Sequence, residues 1–252
     1  DEVTTFLTTT SLCTGSTIDM QILRDLFGYT AQAALILNVD QDFRERVLEA
    51  RTKLAPMKIG RKGDLQQWLE DWEQREKSHR HISQLYGLYP GHQISRQKNP
   101  DLAEGCRVGL EQRGLEGNGW ASAWKMGCWS RLFRPDKAMD NFVYYIKNYT
   151  FDNLFAICSR ALQVDGLFGA SAALMEMLVQ SHENEISLLP CLPIDWPAGR
   201  VAGQRARGGF EVDLEWQEGA LTTCVITSHQ GNPCTIMVDD KMIELALEQG
   251  AA

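Results

Sequence analysis

Apolar residues recur at helical spacing through the first two thirds of the chain. Ile22, Leu23, Leu26, Phe27, Ala34 and Leu37 follow an i, i+3/i+4 rule, which predicts a long helix over about 18–37. Ser16 and Asp19 stand just ahead of it as a variant of the capping box, where short polar side chains satisfy the first free N–H groups. Asp40 is placed to cap a second helix with Phe43, Val47 and Leu54 on one face and Pro56 as its stop. The two should form a helical hairpin.

Beyond a Gly- and Lys-rich tract at 60–64, Asn99 and Pro100 supply a cap and first position for a helix to about Gln112, stopped by Gly114. Further helices are predicted over about 120–133, 136–147 and 168–181, the last with the stripe Leu174, Met177 and Leu178. The period then changes from helical to two near Glu183. Val212, Leu214 and Trp216 alternate with Glu211, Asp213 and Glu215, as a half-buried strand does. A Gly-containing turn at 217–220 and the runs 221–227 and 234–238 continue a small antiparallel β layer. The chain therefore reads as mainly α with a β tail, divided into 1–182 and 183–252, with the Pro-rich segment LLPCLPIDWPAG at the join.

Composition narrows the partners. With 33 acidic and 25 basic side chains the 252 residues carry a net charge of -8, which argues against nucleic acid or an anionic membrane surface and favours a neutral ligand. No apolar run approaches the roughly 18–20 residues of a membrane span. The opening DEVTTFLTTTSLCTG lacks the basic and apolar regions of a signal peptide. Localisation is left open, since an export signal of a secreted or periplasmic parent would lie upstream. The seven cysteines show neither CxxC nor zinc spacing, and Cys106, Cys128 and Cys158 fall in apolar patterns as small hydrophobes. Neither a metal nor a cofactor is expected.

The candidate chemistry centres on KSHRHISQLYGLYPG (77–91), which sets two histidines, an arginine and hydroxyl side chains among apolar residues. Such a mixture suits a polar ligand with an apolar face, as sugars are. His79 and His81 could also be a metal pair or a plain surface pair; residues two apart point opposite ways in a strand, and Arg80 disfavours a cation. Asp165 in LQVDGLFG is either a helix-entry cap or a catalytic carboxylate held by a tight turn. Trp120 and Trp124 share one helical face, as core residues or as a ligand platform. Glu70 and Asp71 receive no role. The glycines of RGLEGNG and RARGGF lack a phosphate-binding context, and no nucleophile elbow is present.

Taken in order, TGSTIDMQILRDLFG, LQQWLEDWE, HRHISQLYGLYPGHQI, GNGWASAWK, LQVDGLFG, EMLVQSHENEISLLPCLP and RARGGFEVDLEW resemble the second half of glycoside hydrolase family 95, the inverting α-1,2-L-fucosidases. The resemblance implies part of an (α/α)6 toroid followed by a small antiparallel β-sandwich domain. It implies a fucosylated oligosaccharide or glycoconjugate as substrate and inversion at the anomeric carbon. Asp165 falls on the aspartate that supports water-positioning asparagines, and His79 or His81 on a fucose-contacting histidine. Trp120 is carried as a further substrate-binding candidate.

The family's general-acid glutamate, in a Ser-Pro-Glu motif, has no counterpart between Asp1 and Thr10, and the asparagine pair would lie further upstream. The chain by itself is therefore expected to be inactive. Gln84, Ser16 and Leu167 depart from the family pattern. Alternatives left open are an inactive relic with a sugar-binding or structural role and an α-L-galactosidase. A partial toroid should also expose apolar helix faces and associate through them.

Overall fold

The computed structural model describes residues 13–74, 76, 78–239 and 241–251. The segment in which the sequence reading sought a general acid lies outside the described residues.

Helix α1 spans Thr17–Leu37, and its N-terminus realises the expected cap: Ser16 Oγ accepts from the Asp19 N–H at 3.4 Å and donates to Asp19 Oδ2 at 2.6 Å. Helix α2 spans Gln41–Thr52. Asp40 does not cap it with its side chain; the residue sits in the left-handed region (φ 54°), and its carbonyl accepts from the Arg44 N–H. The helix ends before Leu54 and Pro56, because Lys53 already closes its last turn.

The inward side of α1 is polar over its first half, with the small Ala31 and Ala34 buried further along. Gln21 is fully buried, donating to the Gln84 carbonyl at 2.9 Å and accepting the Gly87 N–H at 3.1 Å. Asp25 accepts from Tyr86 Oη at 3.0 Å and Gln93 Nε2 at 2.7 Å. Ile22, Leu26, Tyr29 and Ile36 lie exposed along the helix instead.

Helix α3 (Pro100–Arg113) ends at Gly114, whose φ of 60° suits a residue without Cβ. Helices α4 (Gly119–Arg131), α5 (Pro135–Tyr149) and α6 (Val164–Leu178) follow, with α4 packed between the other two. Nearly every residue of α4 is buried. At Gly127 the Tyr89 ring comes so near that an added Cβ would lie 2.5 Å from it, so only glycine fits. Helix α6 starts at Val164 rather than near 168, so Asp165 lies inside its first turn and Gln163 is the N-cap. The buried cysteines Cys106 and Cys128 belong to this helical core, with burial pushing both thiols well up. All seven cysteines are free.

The short hairpin β1 (Ile157–Cys158) and β2 (Ala161–Leu162) bridges α5 and α6. After α6 come β3 (Val179–Gln180), β4 (Ile186–Leu188), β5 (Gly199–Ala206), β6 (Phe210–Gln217), β7 (Ala220–Ser228), β8 (Cys234–Val238) and β9 (Lys241–Leu245). Strands β5-β6-β7 form an antiparallel sheet, and β3-β4-β8-β9 form a second. Val212, Leu214, Trp216 and Ile226 of the first share one core with Ile186, Leu188, Cys234 and Ile236 of the second. The β6–β7 turn has Glu218 and Gly219 both at positive φ (54° and 76°), the geometry whose twist matches a hairpin. A helical part followed by a small sheet domain is as expected. One pairing differs: β4 and β8 run parallel, aligning Ile186 with Ile236, so the second sheet is mixed. Among the described residues no helix is long and apolar enough to cross a membrane.

Candidate functional site

Three of the sequence motifs meet at the start of α4. The loop preceding it is tied down by Lys125, a fully buried lysine whose Nζ donates to the carbonyls of Gly114 (2.9 Å) and Glu116 (2.6 Å). Burial, then the Arg113 charge, pushes this ammonium down to about 8. Gly117 donates to Tyr149 Oη and approaches Arg80, whose Cβ would lie 3.7 Å from an added Gly117 Cβ. Asn118 caps α4, accepting the Ala121 N–H at 2.9 Å.

Next to this cap comes the first turn of α6. Gln163 Oε1 accepts the Trp120 N–H at 3.0 Å, so one amide joins the two helix starts. A Cβ at Gly119 would lie 2.7 Å from that oxygen, and a Cβ at Gly166 would lie 3.0 Å from the Gly119 carbonyl carbon and the Trp120 nitrogen. Both glycines are needed for this close approach. Asp165, between Gln163 and Gly166, is exposed and accepts the Gly166 N–H at 2.9 Å. A carboxylate in a first turn is favoured by the helix dipole.

The histidines sit on the neighbouring irregular segment. They do not point apart, because residues 79–81 are neither strand nor helix: the rings lie 5.2 Å centre to centre, tilted by 43°. The His81 N–H donates to His79 Nδ1 at 3.2 Å, which puts the proton of a neutral His79 on Nε2. Burial, then Arg80, His79 and Arg113, lowers the His81 pKa, so His81 is held neutral and can both donate and accept. Among the described residues no group of three or more His, Cys, Asp or Glu could hold a metal ion.

Trp124 is core: it is buried and donates to the Tyr89 carbonyl at 2.6 Å. Trp120 is half-buried, packing 5.4 Å from Trp124 and over Gly169, where a Cβ would meet its ring at 2.8 Å. The structure thus brings the first turn of α6, with Asp165, and the His79–His81 segment next to the start of α4, residues 117–120, which carries Trp120. Sequence reasoning missed Gln163 and Asn118. Asn before the Gly-Trp helix start was the available signal for one; for Gln163 there was none, because its partner lies across the fold.

The glycosyl hydrolase family 95 catalytic domain matches residues 3–178, and the glycoside hydrolase family 95 C-terminal domain matches residues 180–251. Alpha-L-fucosidase 2 of Arabidopsis thaliana is 39% identical over 233 residues, covering 87% of this chain and 28% of that protein. Probable alpha-fucosidase A of Aspergillus niger is 29% identical over 232 residues, covering 83% of this chain and 29% of that protein. The chain thus spans less than a third of the length of these relatives. With both domain models matched in order along its described helical and sheet parts, the chain belongs to glycosyl hydrolase family 95.

Proposed function

We propose that this chain supplies one wall of the sugar site of an inverting α-1,2-L-fucosidase. The observation that carries the reading is the meeting of the His79–His81 segment, the α4 start with Trp120 and the α6 start with Asp165 around residues 117–120. His79 or His81 holds hydroxyls of the fucosyl ring, using the Nε2–H of His79 or the neutral ring of His81. Asp165 acts electrostatically, supporting the amides that position the attacking water. Inverting hydrolysis also needs a group to protonate the leaving oxygen from the other face. In this reading the proton donor and the water-positioning amides come from residues outside these 252, consistent with the share of its relatives that the chain spans.

The same reading assigns residues 1–182 to the catalytic toroid and 183–252 to the closing β domain; the change of apolar period near Glu183 supports it. The exposed apolar faces of α1 (Ile22, Leu26, Tyr29) and α6 (Val164, Phe168, Met175) are where the remaining toroid helices pack. The substrate is a fucosylated glycan. The test compares the full-length parent on 2'-fucosyllactose and on the matching α-1,2-L-galactoside, with the first-formed anomer followed by NMR. Fucose released with inversion is expected. Retention, or preference for the galactoside, would overturn the assignment.

A further inference from the structure

Gln163 stands at the start of α6, yet its side chain serves another helix. A residue in this position usually turns a short oxygen-bearing side chain back onto its own first turn. Gln163 makes no such bond, and its Oε1 reaches across to the Trp120 N–H of α4 at 3.0 Å. Helix α4 is therefore capped from two segments, with Asn118 on the Ala121 N–H and Gln163 on the Trp120 N–H, both first-turn donors that lack a partner within their helix. Stem length decides which amide can do this. Asparagine, one methylene shorter, bonds locally instead.

The rest of that turn is held against the same place. The Gln163 N–H donates to the Ala156 carbonyl at 2.8 Å, tying the turn to the residue before β1. Gly166 is buried, and a Cβ on it would also lie 3.3 Å from Ala156 Cβ, so the turn has no slack on this side. Asp165 lies between these two anchored residues. Among the described residues its carboxylate is bonded only to the adjacent Gly166 N–H. Its place is thus set by the backbone of the turn, and that backbone is set by residues 163 and 166.

We propose that Gln163 is a positioning residue: its amide fixes the first turn of α6 against the start of α4 and so sets where the Asp165 carboxylate stands relative to Trp120. What the carboxylate does there rests on the fucosidase reading; that Gln163 places it rests on the contacts alone. Placement matters because a shift of about 1 Å far from the chemistry can slow a reaction on the order of a hundredfold.

The test uses the full-length parent and three substitutions. Gln163→Met keeps the length and loses the acceptor, Gln163→Asn keeps the amide and loses the length, and Gln163→Glu keeps both length and an oxygen. Hydrogen–deuterium exchange followed by mass spectrometry reads the contact itself. Peptides spanning 118–122 and 164–168 should both exchange about tenfold faster in Gln163→Met and Gln163→Asn, and near the parent rate in Gln163→Glu. Faster exchange confined to 118–122 would mean that the amide serves α4 alone, and would overturn the proposal, as would parent-like exchange in all three.

Kinetics separate positioning from a merely structural role. Gln163→Met should lower kcat for fucose release about tenfold with KM within about twofold, and Gln163→Glu should recover most of the loss. In an Asp165→Asn background Gln163→Met should add little, because it acts through that carboxylate; a full additive loss would overturn the proposal. Failure of the fucosidase reading would show in the unsubstituted parent, as no release of fucose, and the exchange comparison would still decide the role of Gln163.

Discussion

Helices α1 and α4 are enclosed to very different extents, and the contrast shows which side of the helical part is finished. Around α4 neighbours exist on all sides, so even Lys125, Ser122 and Ser130 are enclosed and hydrogen-bonded to backbone. On α1 the enclosed residues are Thr17, Gln21 and Asp25, held by specific hydrogen bonds, and the small Ala31 and Ala34, while the larger Ile22, Leu26 and Ile36 face outward. A helix whose polar side is satisfied inside and whose apolar side is open is a helix waiting for another neighbour. Strand β6 of the sheet domain has no such imbalance, alternating cleanly between core and surface.

Substitutions can break this comparison. The largest effect is expected at Gly127→Leu, where the new side chain meets the Tyr89 ring; loss of more than about 3 kcal/mol, or no folded protein, should appear in urea unfolding. Next comes pH. Above about pH 8 the folded chain sheds the Lys125 proton, while an unfolded lysine keeps it to about 10.5, so stability should rise across that window by on the order of 2–3 kcal/mol. Tyr86 and Tyr89, pushed up to about 12 by burial, act in the opposite sense above pH 10. The difference between the parent chain and Lys125→Met isolates the lysine, and identical pH profiles would remove it from the account.

Gln21→Ala leaves the Gly87 N–H and Gln84 carbonyl without their partner and should cost about 1–3 kcal/mol. Leu26→Gln on the open face should change stability by less than about 0.5 kcal/mol while reducing self-association by light scattering. If Leu26→Gln were the more destabilising of the two, the inversion of α1 would be wrong.

How much of this was legible in the sequence varied with the range of the interactions. The Ser16 cap, the α3 stop at Gly114 and the alternation of β6 rest on neighbours, and the residues announce them. The start of α6 was misjudged because Asp165-Gly166 has the look of a turn, whereas the helix begins earlier on a Gln163 amide that a different helix holds in place. Parallel pairing of β4 with β8 has no local signal at all. The histidine pair was read with rules for regular structure, and its segment is irregular. For the proposed site, Asp165, Trp120 and the histidines are candidates the sequence offers; the meeting of their segments at the start of α4 has no local signal.

The central claim is that Asp165 serves the reaction rather than the fold. Its exposure, with a hydrogen bond only to the adjacent Gly166 N–H among the described residues, means that Asp165→Asn should leave the melting temperature nearly unchanged. In the full-length parent the same substitution is predicted to cut kcat for fucose release from 2'-fucosyllactose by on the order of a hundredfold or more, with KM little altered. Equal kcat in the two enzymes would contradict the claim.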